Sequence, residues 1–264
     1  MTEQLVTYEI EGNVAIIGLN RAAKRNAIND DLLVAIRTAV LKAGDEAKAG
    51  VIFGHGDNFS AGLDLKQHAE RIASGKRSSG RTWHAAFDMI ARGAVPFVAA
   101  LRGACIGGGL ELASAAHIRV ADETTYFALP EGQRGIFVGG GGSVRIQRLL
   151  GYARMADLML TGRILTAAEG ERLNLCQYVV PSGEALAKAK ALAARIAENA
   201  PNTNYAITNA LPRINDMSHD DGLFFESMIS SFTGSSPEAL KRLQDFVEKR
   251  ATPLAVPGKS EKAG

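Results

Sequence analysis

Residues 104–111 read Ala-Cys-Ile-Gly-Gly-Gly-Leu-Glu, and a second acid, Glu131, follows in Leu129-Pro130-Glu131. Three glycines after an apolar run predict a strand that turns sharply and opens a helix. The first backbone N–H groups of a helix have no partner within it and lie at the positive end of its dipole. Such an opening is suited to a negative oxygen. Glu111 falls in the first turn beyond it. Two carboxylates beside a stabilised oxyanion can move protons as that oxyanion forms and collapses. Each piece taken singly has a plainer reading. A glycine triplet is also a tight turn where backbones approach closely. Glu111 alone is an acid set against a helix dipole, and Glu131 alone is a loop acid or a single base.

The elements that must position these groups alternate. Val14–Leu19 is a short apolar run, read as a buried strand. Asn29 precedes Leu32, Leu33, Ile36 and Val40, a cap followed by one apolar helical face. Val51-Ile52-Phe53 reads as a second strand, Phe97–Leu101 as a third, 110–116 as helix, and Ile118-Arg119-Val120 as another strand. Segment 144–155 reads as a further helix. From about residue 183 the character changes: Leu186, Ala189, Ala193 and Ile196 form a helical stripe, and 221–232 and 237–249 also read as helix, with Pro237 suited to a first turn. The expectation is an α/β core over 1–195 and a helical C-terminal region over 196–264 that packs on neighbouring subunits. The tail 255–264 is polar and expected to fray.

Composition bounds the function. The 264 residues are 46% hydrophobic and 22% charged, with a net charge of +2, which offers no basic surface for nucleic acid. No run approaches the ~18 apolar residues of a membrane span. The N-terminus, Met1-Thr2-Glu3-Gln4-Leu5, has the pattern of neither a basic nor an apolar leader segment. Cys105 and Cys176 have no disulfide or metal-ligand spacing, and the five histidines have none either, so the expectation is a cytoplasmic protein without a metal.

Three glycine clusters are present: Gly54-x-Gly56, 107–109 and 139–142. A dinucleotide fingerprint from Gly107 meets Gly109 but then Leu112 where a third glycine belongs, so a nucleotide-dependent oxidoreductase is disfavoured. No cluster is followed by Gly-Lys-Ser/Thr, which excludes a P-loop.

Four pieces, in order, resemble the enoyl-CoA hydratase/isomerase (crotonase) superfamily. Asn20-Arg21-Ala22-Ala23-Lys24-Arg25-Asn26-Ala27 is similar to its N-R-P-x-K-R-N-A turn, with Ala22 in place of proline. Phe59-Ser60-Ala61-Gly62-Leu63-Asp64-Leu65 is similar to F-x-A-G-x-D-[IL]. Gly107-Gly108-Gly109-Leu110-Glu111 matches G-G-G-x-E, and 127–142 carries F-x-x-P-E, then G-[IL], then G-x-G-G. Phe246-Val247-Glu248-Lys249-Arg250 also fits, so the resemblance spans about residues 5–253.

The resemblance implies a spiral of ββα units with a helical C-terminal trimerisation region, trimers often pairing into hexamers. It implies an acyl-CoA thioester as substrate, with no cofactor beyond the coenzyme A that the substrate carries. The oxyanion donors implied are the N–H groups of Leu63 and Gly108. Lys24, Ala27, Ala61, Asp64 and Leu65 fall where the family binds CoA. Glutamates at both matching positions, Glu111 and Glu131, imply hydration of a 2-enoyl-CoA: Glu111 deprotonates water and Glu131 protonates the α-carbon. The rivals are an isomerase, hydrolase or decarboxylase at the same site, or a non-catalytic acyl-CoA-binding subunit. Gly132-Gln133-Arg134 and Val138 depart from the usual pattern, so Gln133 and Arg134 are candidates to reach the acyl tail, or else surface residues that face solvent or a neighbouring subunit. Trp83 and Phe87, at helical spacing, are candidates for the acyl pocket or else core residues.

Overall fold

The computed structural model describes residues 4–75 and 80–250. The expectations for residues 1–3 and for the tail 255–264 fall outside the described residues, as do 76–79 of the Ser- and Gly-rich stretch before Trp83. The chain divides into two units, Met1–Thr208 and Asn209–Gly264. The division falls inside a helix and later than the sequence expectation at residue 195.

The first unit is built on two sheets. Strands β1 (Val6–Glu11) and β2 (Val14–Leu19) pair antiparallel, and β3 (Ala49–Gly54), β4 (Phe97–Leu101), β6 (Ile118–Asp122) and β9 (Tyr178–Val180) continue the sheet in parallel. A smaller sheet joins β5 (Ala104–Ile106) to β7 (Tyr126–Ala128) in parallel and β7 to β8 (Ile164–Thr166) antiparallel. Successive strands enter the two sheets alternately: β4 then β5, β6 then β7. That alternation winds strand–strand–helix turns into a spiral. Its consequence for chemistry is that β5 and β7 end side by side, so the turns after Ile106 and after Ala128 open at the same place.

Period-two alternation assigns the two faces of the large sheet. Ala15, Ile17, Leu19, Ile52, Ala99 and Leu101 join a core with Leu32, Leu33 and Ile36 of helix α1 (Asp30–Glu46). Val14, Ile16, Val51, Val98 and Val120 pack against Ala185, Ala189, Ala193 and Ala197, a four-residue alanine stripe on the helix Ala185–Ala197. Small side chains at every fourth position let this helix lie close on the sheet. Helix α1 starts where its cap predicts: the Asn29 side chain accepts from Leu32 N–H at 2.9 Å.

Two sequence expectations are corrected, and one strand is added. The helix read over 110–116 runs Gly108–Ala113, because the Ser114 hydroxyl donates to the Glu111 carbonyl at 2.7 Å and draws it from the helical ladder. The single helix over 144–155 is two, Gly142–Leu150 and Tyr152–Thr161, separated at Gly151 with φ of 83°. Tyr126–Ala128, which shows no evident strand pattern, is the parallel partner of β5; three residues are too few to display a period. The remaining helices of the unit are Leu65–Ala73, Gly80–Ala91 and Ala167–Arg172.

The helix Pro201–Ile214 spans the division. In the second unit, His219–Gly234 is capped by Ser218, and Pro237–Val247 by Ser236 with proline in its first turn. Phe224, Met228, Phe232, Leu243, Phe246 and Val247 are all exposed there. Among the described residues no helix is long and apolar enough to cross a membrane.

Enlarging the alanine stripe tests the packing. Ala189→Leu inserts three carbons at a position with 0% exposure and is expected to destabilise the protein by roughly 1–3 kcal/mol. Urea unfolding at fixed protein concentration would register this as a lower midpoint.

Candidate active site

The site is assembled from two turns. In the first, β5 ends at Ile106 and Gly107 enters the left-handed region with φ of 52°, its N–H donating to Ala128 O at 2.9 Å. The positive φ of Gly107 favours glycine, and a Cβ there would stand 2.7 Å from Glu131 Oε1, so a side chain would also push the Glu131 carboxyl aside. Gly108 is the first helical residue. As expected for that position, its N–H has no acceptor among the described residues.

The second turn, 60–64, is suspended from Asn26, a residue with 0% exposure. The Asn26 amide donates to His55 O at 3.0 Å and Asn58 O at 2.8 Å, and its oxygen accepts from Arg21 N–H at 2.9 Å. Ser60 Oγ donates to Asn26 O and accepts from Gly62 N–H. Ile28 N–H donates to Gly62 O and Asp64 N–H to Ile28 O. Leu63 N–H, between these bonded neighbours, has no acceptor among the described residues. Gly62 has φ of 87°, and a Cβ on it would lie 2.6 Å from Ile106 O and 3.1 Å from Gly108 N. Backbone therefore rests on backbone. The Leu63 nitrogen also lies 3.5 Å from where a Gly108 Cβ would be, so the two unbonded amides are neighbours.

Glu131 lines the same cavity as these amides, and both acids are buried, Glu111 at 3% and Glu131 at 6% exposure. Glu111 Oε1 accepts from Gly140 N–H at 2.7 Å and Gly142 N–H at 2.8 Å. These amides precede and open the helix Gly142–Leu150, and a Cβ on Gly142 would stand 2.7 Å from the Glu111 side chain. Glu131 is held differently. Its Oε2 is buried with no hydrogen-bond partner among the described residues. Burial pushes its pKa up to about 7, with the Glu111 charge adding to the rise, while its own backbone N–H and the Arg134 charge oppose it. One acid is gripped by two amides and the other is desolvated.

A cavity of about 510 Å³ opens onto the site. Its lining includes Lys24, Ala27, Ala61, Leu63, Asp64 and Leu65, together with Gly108, Glu131, Gln133 and Arg134. Glu111 lies behind this lining. Asp64 is already engaged: it pairs with Arg21 at 3.0 Å and caps the helix Leu65–Ala73 by accepting from Gln67 N–H. Burial alone would raise its pKa, but the Arg21 and Gln67 hydrogen bonds and the Arg21 and Lys24 charges outweigh it and hold it below the usual range. Gln133 is engaged as well, donating to Thr161 O at 2.8 Å with its amide laid over Gly162. Trp83 and Phe87 lie outside the cavity, edge to face at 5.5 Å. The Trp83 indole covers Gly108 and Phe87 covers Gly140, so the pair packs against both glycine turns of the site.

Sequence reasoning passed over Asn26 as a support and Gly140 and Gly142 as donors. The signal for Asn26 was an amide residue among basic neighbours just after a turn. The glycine run 139–142 was noticed without its target.

Linkage gives a test of the Glu131 environment. A carboxyl whose folded pKa is raised binds more protons folded than unfolded between about 4.5 and about 7, so the folded state loses stability as pH rises through that window. Relative to Glu131→Gln, the wild type is expected to lose stability from pH 4.5 to 7, read by urea unfolding at stepped pH. Parallel curves would contradict the assignment.

Comparison with known proteins places the whole chain among similar sequences and structures. The family model described as enoyl-CoA hydratase/isomerase matches residues 9–255. A crystal structure of a "putative enoyl-CoA hydratase" from Rhodopseudomonas palustris is 48% identical, covers 93% of this chain and 95% of that chain, and superposes with a TM-score of 0.86. A probable enoyl-CoA hydratase of Mycobacterium bovis is 32% identical over 253 residues, 95% of this chain and 98% of the relative. A short-chain-enoyl-CoA hydratase of Clostridium acetobutylicum is 31% identical over 248 residues, 93% of this chain and 95% of the relative.

Proposed function

The chain belongs to the enoyl-CoA hydratase/isomerase family, and from that premise we propose that it adds water across the double bond of 2-enoyl-CoA thioesters to give 3-hydroxyacyl-CoA. The observation that carries the reading is the pair of neighbouring amides without acceptors, Leu63 and Gly108, beside two buried carboxyls in contrasting environments.

The thioester oxygen takes the two N–H groups. Glu111 removes a proton from water, the oxygen of that water bonds to the β-carbon, and the π electrons shift to give an enolate whose charge rests on the thioester oxygen. Fixed amides stabilise this charge more than the ground-state carbonyl, so their effect falls on the transition state. As the enolate collapses, the α-carbon takes the proton from Glu131. One water has been added; Glu111 now holds a proton, Glu131 has lost one, and exchange with solvent resets both. The raised pKa suits this role, because an acid near 7 is both protonated and ready to release its proton at neutral pH.

Lys24, Ala27, Ala61 and Leu65 border the CoA end, with Lys24 available to the phosphates. Asp64, tied to Arg21, shapes that wall rather than meeting the ligand. Trp83 and Phe87, outside the cavity, support Gly108 and Gly140 by packing on them. Gln133 fixes another part of the wall and Arg134 stays beside Glu131. The reaction needs no cofactor beyond the coenzyme A of the substrate. The exposed Phe224, Met228, Phe232 and Phe246 support assembly as a homotrimer or hexamer, and the two buried free thiols are consistent with a cytoplasmic setting.

Loss of conjugated-thioester absorbance with crotonyl-CoA tests the reaction. Glu131→Gln is expected to lower kcat by about 10²–10⁴-fold while acyl-CoA affinity, measured by calorimetry, stays within a fewfold. A matching loss of affinity would assign Glu131 a structural role. Because the donor must be protonated, kcat/KM for hydration is expected to fall as pH rises through about 7; a limb insensitive to pH there would remove Glu131 as the acid. Gly108→Pro, which deletes one donor and blocks the turn, is expected to abolish turnover.

A further inference from the structure

The turn that grips Glu111 consists of four glycines, residues 139–142. Glycine has the widest conformational freedom of any residue, so such a turn does not keep its shape unaided. The clamp is Arg145, in the first turn of the helix Gly142–Leu150. Its guanidinium donates from Nη2 to Gly140 O, from Nη1 to Asp88 Oδ1 at 3.1 Å, and from Nε to Ser114 Oγ at 3.4 Å. The side chain is 17% exposed, so it is turned inward rather than toward solvent.

The order of the peptide groups gives the clamp its leverage. Glu111 Oε1 takes the N–H of Gly140 and the N–H of Gly142, which belong to the first and third peptide units of the turn. Arg145 takes the carbonyl of Gly140, which belongs to the unit between them. A planar peptide held at its oxygen has its own plane fixed, which narrows the dihedrals open to the units on either side. Arg145 also reaches Glu111 from the other side: the Ser114 hydroxyl that meets Nε donates to the Glu111 carbonyl at 2.7 Å. Arginine suits the task because its planar fork presents donors in several fixed directions at once. Burial draws its pKa below the usual range, and the Asp88 and Glu111 carboxylates counter that effect.

We propose that Arg145 is a positioning residue for Glu111: by clamping the middle peptide of the glycine turn it holds both amides on Glu111 Oε1 and so sets the carboxylate where it activates water. The proposal rests on the reading of Glu111 as the base. Asp88, half exposed, completes the clamp by holding the guanidinium from outside.

The test has a kinetic and a structural arm. Arg145→Ala is expected to lower kcat on the order of 10–100-fold, the scale of a misplacement of about 1 Å in a catalytic group, with KM within about twofold of wild type. Guanidinium ion added to the assay is expected to restore part of the lost kcat, and Arg145→Lys, which keeps a charge without the fork, is expected to lie between. An unchanged kcat, or a KM that rises in step with the loss, would overturn the proposal. The crystal structure of the Ala variant, or of the Lys variant where the Ala variant does not fold, is expected to show Glu111 Oε1 parted from at least one of the two amides. Both bonds intact would overturn it. A wild-type protein that hydrates no enoyl-CoA would strike the functional reading instead, and the crystallographic arm would still decide the role of Arg145.

Discussion

The constraint on which the site depends is the contact of two backbones, the turn at Gly62 against the turn at Gly107-Gly108. A Cβ on Gly62 would come within 2.6 Å of the Ile106 carbonyl, and one on Gly107 within 2.7 Å of Glu131 Oε1. With neither side chain present, the two turns meet directly, and Leu63 and Gly108 bring two N–H groups to one place without an acceptor. An unpaired backbone donor in a folded chain costs free energy comparable to a lost hydrogen bond. Two of them side by side are what the proposed binding of a thioester oxygen would satisfy. The side-by-side ends of β5 and β7 and the Asn26 support position the two turns that make that contact.

Contrast between the acids is the second organising fact. Glu111 and Glu131 are equally buried, yet one is given two amides and the other none on Oε2. Surroundings of this kind separate the behaviour of two like groups, which is how one pocket supplies both a base and an acid. The separation is built by glycines. Gly140 and Gly142 admit the Glu111 side chain, and Gly107 admits that of Glu131. The runs that look redundant in the sequence serve different acids.

The parts legible in sequence were those carried by local pattern. Val14–Leu19 and Phe97–Leu101 announce themselves by hydrophobicity, Asn29 by its capping position, and Leu63, Gly108, Glu111 and Glu131 by ordered motifs. What escaped depended on distance along the chain. Asn26 acquires meaning from carbonyls at 55 and 58, and Arg145 from Asp88, Ser114 and Gly140. Short elements escaped for another reason: β7 has three residues, too few to show alternation, and the break at Gly151 lies within an apolar pattern that continues across it. Gln133 and Asp64 show the converse limit. Both line the cavity as expected, and each also has a partner within the protein that the sequence does not disclose, Thr161 for Gln133 and Arg21 for Asp64.

The central claim is that Leu63 and Gly108 hold the thioester oxygen between them. A crystal structure of the wild-type protein with a 3-hydroxyacyl-CoA bound tests it most directly. The account expects the thioester oxygen within about 2.7–3.2 Å of both nitrogens, with the α- and β-carbons flanked by Glu131 and Glu111. A thioester oxygen bonded to other groups, with the Leu63 and Gly108 amides still without an acceptor, would contradict it.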